Sequence, residues 1–206
     1  MEAILIHGMG RTPAAMSILA VRLRASGIRP HLFGYSVTFE RWDECIQRYE
    51  NFITKRAKTN DYIIVGHSLG TVLTRAVLPR LTHQPRACFF LAPPTQVCRA
   101  AHNFSHRHLI RLFIGDIGKV LTNKQFMDSL PLPGVPTKIY AGTAGPRGRY
   151  SPFGEELNDG LLAVKETILP GVPMQTVPAL HTFIMNSNVV TRDIVRIARS
   201  SSNADV

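Results

Sequence analysis

Gly66-His67-Ser68-Leu69-Gly70 is the stretch of this 206-residue chain whose residue types and spacing can most directly do chemistry. It follows the apolar run Tyr62-Ile63-Ile64-Val65 and opens a helical pattern from Leu69 to Leu81. A serine bracketed by glycines in that setting reads as a tight strand-to-helix turn that lifts a hydroxyl above a sheet edge. The glycines let strand and helix pass closely, and the serine oxygen becomes a candidate nucleophile for acyl transfer. The competing reading of the same five residues is a turn whose serine only caps the helix.

A serine nucleophile needs a base, an acid that orients the base, and donors for an oxyanion. The downstream histidines are His83, His102, His106, His108 and His181. Only His181 follows the last expected strand, where a loop can lean back over the sheet; a surface histidine is the alternative. Among the intervening carboxylates, Asp159 lies in Leu157-Asn158-Asp159-Gly160-Leu161, in the segment after the strand expected at Thr137 to Ala141. The order Ser, Asp, His suits a strand-turn-helix nucleophile, although Asn-Asp-Gly is also ordinary turn chemistry. Asp116 is the reserve acid, and Glu155 and Glu156 read as a solvated pair. For the oxyanion, one N–H is expected from Leu69 and a second from Met9 in His7-Gly8-Met9-Gly10, where glycines let the backbone turn inward. His7 is expected to orient that loop. Gly8 to Gly10 is not a phosphate loop, because neither G-x-G-x-x-G nor a Lys-Ser/Thr ending is present.

These residues need a scaffold, and strands and helices alternate along the chain. Ala3 to Ile6 is a continuous apolar run, as in a strand buried on both faces. A helix is expected from Thr12-Pro13 to Ser26, stopped by Gly27. A strand at Arg29 to Tyr35, a helix at Glu40 to Lys58, and strands at Ala87 to Leu91, Thr137 to Ala141 and Met174 to Val177 follow, with a closing helix from about Asn188 to Arg199. Strict alternation implies a mostly parallel sheet covered on both faces. Thr95 to Pro133 is too long for an ordinary connection. Leu109, Phe113 and Ile117, with Ile110 and Ile114, recur in it at helical spacing. It is expected to be a cap over the carboxyl ends of the strands, where Phe104, Leu109 and Phe113 would wall an acyl group or simply bury the cap.

Taken together, His7-Gly8-Met9-Gly10, Gly66 to Gly70, Asn158-Asp159-Gly160 and His181-Thr182-Phe183 give the chain a resemblance to the α/β-hydrolase family, particularly its small lipases and esterases. The resemblance implies an α/β fold: a three-layer α/β/α sandwich with a mostly parallel, reduced, about six-stranded sheet. The sheet is expected to be reduced because there is no room before Ala3 for the two leading strands of the eight-stranded form, and one domain over residues 1–206 is expected, with a cap insertion at about 95–133. The resemblance also implies Ser68 as nucleophile, His181 as base, Asp159 as acid, and Met9 and Leu69 as oxyanion donors. The expected reaction is carboxylic ester hydrolysis through an acyl-enzyme. Thioester, amide or acyl-acceptor chemistry with the same triad, and a non-catalytic lipid- or protein-binding member, are the alternatives.

Composition narrows the class further. An apolar fraction of 45% excludes a disordered chain, and no apolar run reaches the ~18–20 residues of a membrane span. Cys45, Cys88 and Cys98 are odd in number and lack metal-ligand spacing, so no metal or cofactor is expected. Reduced thiols, with no charged n-region at Met1-Glu2-Ala3, point to the cytoplasm. The net charge is +10, and Tyr62 to Gly115 holds no carboxylate but six arginines: Arg75, Arg80, Arg86, Arg99, Arg107 and Arg111. That window is expected to surround the site and to favour an anionic acyl or lipid substrate, or contact with an anionic membrane surface. With no zinc-finger spacing, RNP-like strand or Lys/Arg run, nucleic acid is not an expected partner.

Overall fold

Short apolar runs separated by amphipathic segments fold here into one sheet with helices on both sides. The computed structural model describes residues 1–57, 61–97 and 115–200. The strands are β1 (Glu2–Ile6), β2 (Arg29–Phe33), β3 (Tyr62–His67), β4 (Ala87–Leu91), β5 (Thr137–Gly142) and β6 (Met174–Val177). They lie in the order β2-β1-β3-β4-β5-β6. Every neighbouring pair is parallel. The expected six-stranded α/β sandwich is therefore present, with a sheet that is entirely parallel.

Alternating side chains divide the core. Ile4, Ile6, Ile64, Cys88 and Phe90 face α2 (Trp42–Ala57) and α3 (Leu69–Val77). Leu5, Ile63, Val65, Phe89 and Leu91 face α1 (Ser17–Ala25) and the C-terminal helix (Asn188–Ser200). Both faces are covered, which is why the central strands read as continuous apolar runs rather than alternating ones. The chain changes face between α1 and α2, so the loops after β1 and β3 diverge at the carboxyl edge, where a parallel sheet opens a crevice.

Some boundaries differ from the sequence expectation. The first helix begins as a 3₁₀ turn, Pro13–Met16, because proline at its start offers no N–H. Glu40 lies outside α2; its carboxylate accepts from the Ser36 N–H and pairs with Arg48, holding the connection ahead of the helix. Of the insertion, α4 (Asp116–Lys119) and α5 (Lys124–Ser129) are described; the closing helix is accordingly α6. Ile117, Val120, Leu121, Met127 and Leu130 join the core beneath α2 and α3. Phe126 meets Trp42 edge-on at 5.0 Å. A Cβ on Gly115 would lie 2.2 Å from the Val37 carbonyl, so the insertion presses on the connection after β2. This part of it is core rather than a freestanding lid. Phe104, Leu109 and Phe113 lie outside the described residues.

Arg75 fixes the return from that insertion. It is buried on α3 and donates to the carbonyls of Leu130 (2.6 Å) and Pro131 (3.0 Å).

A close backbone crossing joins α3 to the end of β1. A Cβ on Gly70 would lie 2.6 Å from the His7 carbonyl and 2.8 Å from that of Ile6. Helix propensity alone makes Gly→Ala favourable by about 1 kcal/mol, whereas forcing a methyl into a packed contact costs about 1–3 kcal/mol. Gly70→Ala is therefore expected to lower the Tm by several degrees in calorimetry. A raised Tm would mean that the helix is free to back away.

Candidate active site

Ser68 occupies the single residue between β3 and α3, at φ 50° and ψ −123°. Among the described residues only Ala92, at the end of β4, is another non-glycine with positive φ. A β-carbon in that region costs on the order of 1–3 kcal/mol and persists only where the surroundings impose it. Here they do: the Ser68 N–H donates to the Leu91 carbonyl (2.9 Å), and its own carbonyl accepts from the Thr71 N–H (2.8 Å) and hydroxyl (2.7 Å). A Cβ on Gly66 would lie 3.2 Å from the Gly70 backbone, so the strand and helix converge as the glycine spacing predicts.

Asp159 and His181 are brought together from the loops after β5 and β6. The Asp159 carboxylate meets His181 Nδ1 at 2.7 Å, and the His181 N–H donates to the Asp159 carbonyl at 2.9 Å. The other carboxylate oxygen accepts the N–H groups of Leu161 (2.9 Å) and Leu162 (2.7 Å). Both residues are buried. An ionised carboxylate only accepts, so it holds the proton on Nδ1 and leaves His181 Nε2 as the free basic nitrogen. The two loops close because Gly142 has no side chain: its Cβ would lie 2.5 Å from the Ala179 carbonyl and 2.7 Å from Asp159 Cβ. Asn158 braces the acid loop, donating to the Pro146 (2.9 Å) and Glu156 (3.0 Å) carbonyls and accepting from the Gly160 N–H (2.9 Å).

The loop after β1 lies against the serine. A Cβ on Gly8 would be 3.0 Å from Ser68 Cβ and 2.8 Å from His67 Nδ1. Met9 follows, partly exposed, and Leu69 is the first residue of α3, where an N–H has no intrahelical acceptor. His7 orients this loop: Nδ1 donates to the Gly8 carbonyl (2.9 Å), and the ring stacks on Tyr35 at 4.4 Å. The Tyr35 hydroxyl donates to the His7 carbonyl at 3.1 Å.

The reserve acid, Asp116, instead pairs with Lys119 on the surface, and Glu156 pairs with Lys165. His83 packs on Tyr62 near the start of β3, at the opposite edge of the sheet. His102, His106 and His108 lie outside the described residues. The three described arginines of the carboxylate-free window lie away from the site. Arg75 is buried, while Arg80 pairs with Glu50 and Arg86 with Asp61. α3 leads away from the carboxyl edge, and Arg80 after it and Arg86 just ahead of β4 lie toward the amino edge of the parallel sheet, far from Ser68. Arg99, Arg107 and Arg111 lie outside the described residues. The cation felt at the site is Arg11, just beyond the Gly8 to Gly10 loop, whose charge opposes protonation of His67.

Sequence reasoning passed over His67 as the variable position of its motif. Its Nε2 donates to the His181 carbonyl at 2.9 Å, and its buried Nδ1 has no hydrogen-bond partner among the described residues. A polar residue ending an otherwise apolar buried strand was the available signal. Leu157, Leu161, Leu180 and Phe183 were passed over as well; all are exposed beside Asp159 or His181.

Burial holds His7 below the ordinary histidine range, although its bond to Gly8 opposes this. Burial, then the facing His181, holds His67 well below it. Both folded values lie under the unfolded one of 6.5, so the unfolded chain binds more protons at acid pH. The stability they contribute is complete above about pH 6.5 and is lost as pH falls through the folded values. Calorimetry from about pH 7 to pH 5 should show a falling Tm, with a smaller fall in His67→Gln. An equal fall would exclude His67 as a source.

A family model described as "Alpha/beta hydrolase family" matches residues 3–202. No curated protein matches the sequence. Among solved structures, the lipase BlEst2 of Bacillus licheniformis superposes with a TM-score of 0.77 at 16% identity, covering 96% of this chain and 91% of that one. The RedJ thioesterase of the prodiginine pathway in Streptomyces coelicolor gives 0.63 at 17% identity, over 96% and 84%. The phospholipase PlaB of Legionella pneumophila gives 0.74 at 13% identity; 99% of this chain matches 62% of that longer one. At such identities the likeness is one of fold.

Proposed function

Since the chain belongs to the alpha/beta hydrolase family, we propose that it is a serine hydrolase that cleaves carboxylic esters through an acyl-enzyme on Ser68. His181 Nε2 takes the Ser68 proton as Oγ attacks the ester carbonyl. The oxyanion of the tetrahedral intermediate sits between the Met9 and Leu69 N–H groups. Collapse expels the alcohol, protonated by His181, and water repeats the sequence to release the acid. Asp159 holds the imidazole in its Nδ1–H tautomer and stabilises the cation.

The observation that carries this reading is the backbone of Ser68. A serine held in a conformation suited to glycine, at the same sheet edge as a buried Asp159–His181 pair, is strain with a chemical use. Exposed Met9, Leu157, Leu161, Leu180 and Phe183 on the surrounding loops favour an apolar acyl chain. Arg11, whose charge is felt at His67, supports a preference for an anionic acyl group.

A fluorophosphonate probe should label the wild-type protein and not Ser68→Ala; an unlabelled wild type would sink the proposal. Asp159→Asn is expected to lower kcat about 10⁴-fold, as loss of the correct tautomer does in a comparable triad. Near-normal turnover would reassign the acid. Across nitrophenyl esters from acetyl to octanoyl, kcat/KM should rise by up to about fourfold per buried methylene (~0.8 kcal/mol). Phe183→Ala should flatten that rise, and a flat wild-type profile would remove the apolar acyl site.

A further inference from the structure

The ester mechanism leaves the side chain of His67 unused, yet it is placed between every part of the machinery. It ends β3, immediately before Ser68. Its ring lies 5.0 Å from that of His181, and Gly8 of the loop after β1 abuts its Nδ1. Among the described residues, the charged or titratable groups that face it are His181, Arg11 and His7, none of them an acid.

His181 is gripped at three atoms. Its N–H and its Nδ1 both donate to Asp159, at 2.9 Å and 2.7 Å, and these bonds tie base to acid. Its carbonyl accepts from His67 Nε2 at 2.9 Å. Among the described residues this last is the only hydrogen bond joining residues 66–70 to residues 178–184. A carbonyl can only accept, so His67 carries its proton on Nε2 and none on Nδ1.

We propose that His67 is a positioning residue for the general base: its Nε2–H bond to the His181 carbonyl sets the base loop against the turn that carries Ser68. The proposal rests on the serine-hydrolase reading. The position asks for a neutral donor as long as an imidazole. A charged ring would stand beside His181 when that residue takes up the serine proton, and a shorter side chain would fall short of the carbonyl. Displacement of a reacting group by about 1 Å can cost about 10²-fold in rate without affecting how substrate binds. Loss of this bond therefore acts on kcat rather than KM.

Three substitutions separate positioning from packing. His67→Phe keeps the ring and removes the donor; His67→Gln places an amide N–H near the Nε2 position; His67→Asn places its amide too close to the strand. With acetyl and butyryl nitrophenyl esters, kcat of His67→Phe should fall about 10–100-fold with KM nearly unchanged. His67→Gln should recover most of the loss and His67→Asn little of it, with thermal melts confirming that each variant is folded. Should His67→Phe not fold, the Gln and Asn pair carries the same contrast. Wild-type turnover in His67→Phe or His67→Asn, or equal loss in His67→Gln and His67→Asn, would overturn the proposal.

Long-range ¹H–¹⁵N correlation of the imidazoles tests the bond without turnover. It should find His67 neutral and protonated on Nε2 at about pH 6, and a proton on Nδ1 would overturn the proposal. Failure of fluorophosphonate labelling would count against the hydrolase reading alone, since the tautomer still reports whether the bond is made.

Discussion

The arrangement at the carboxyl edge depends on how closely α3 approaches the sheet. One residue, Ser68, must turn the chain from β3 into that helix, and it does so only because Gly66 and Gly70 carry no side chains where the backbones converge. The contact presses the first turn of α3 against the carbonyls that end β1, which brings the following Gly8 loop beside Ser68. The positive φ of Ser68 is the local cost, offset by hydrogen bonds to Leu91 and Thr71. The position of the hydroxyl, the nearness of two candidate oxyanion donors and the inward direction of the His67 ring all follow from one close crossing.

A second constraint is the satisfaction of buried polar groups. His7, His67, Asn158, Asp159 and His181 are all buried at this edge, where an unpaired polar atom is costly. His7, Asn158 and Asp159 are anchored to backbone of their own loops, while His67 bonded to the His181 carbonyl, and the His181 N–H bonded to Asp159, fix one loop against another. The opposite edge is built differently. Glu2 with Arg29, and Arg86 with Asp61, form ion pairs open to water on at least one side. Such pairs are screened and loosely held.

Much of this was legible in the chain. The buried strands β1, β3, β4 and much of β5 are apolar runs because helices cover both faces, so they could be placed to within a residue or two. The glycine-serine turn identifies itself, and Asp159 and His181 stand out as an acid and a histidine in loops after later strands. Less legible was anything that depends on direction. Arg75, Arg80 and Arg86 share a carboxylate-free window with Ser68, but a helix leaving the carboxyl edge carries its far end to the amino edge. Glu40 reads as the first residue of a helix and instead holds the connection ahead of it. The apolar spacing of the insertion does not distinguish a lid from the core helices that α4 and α5 contribute.

By itself, then, the sequence determined the fold class and the parallel order of elements, and it singled out a candidate serine, acid and histidine. Those are carried by periodicity, glycine spacing and chain order, which are local. Only the tertiary structure decided that Asp159 and His181 meet at 2.7 Å, that His67 joins the base loop to the serine turn, and that Gly142 lets those loops close. Such contacts join residues up to 114 positions apart along the chain. No spacing rule reaches so far, because the distance between two loops is set by the packing of the strands and helices beneath them.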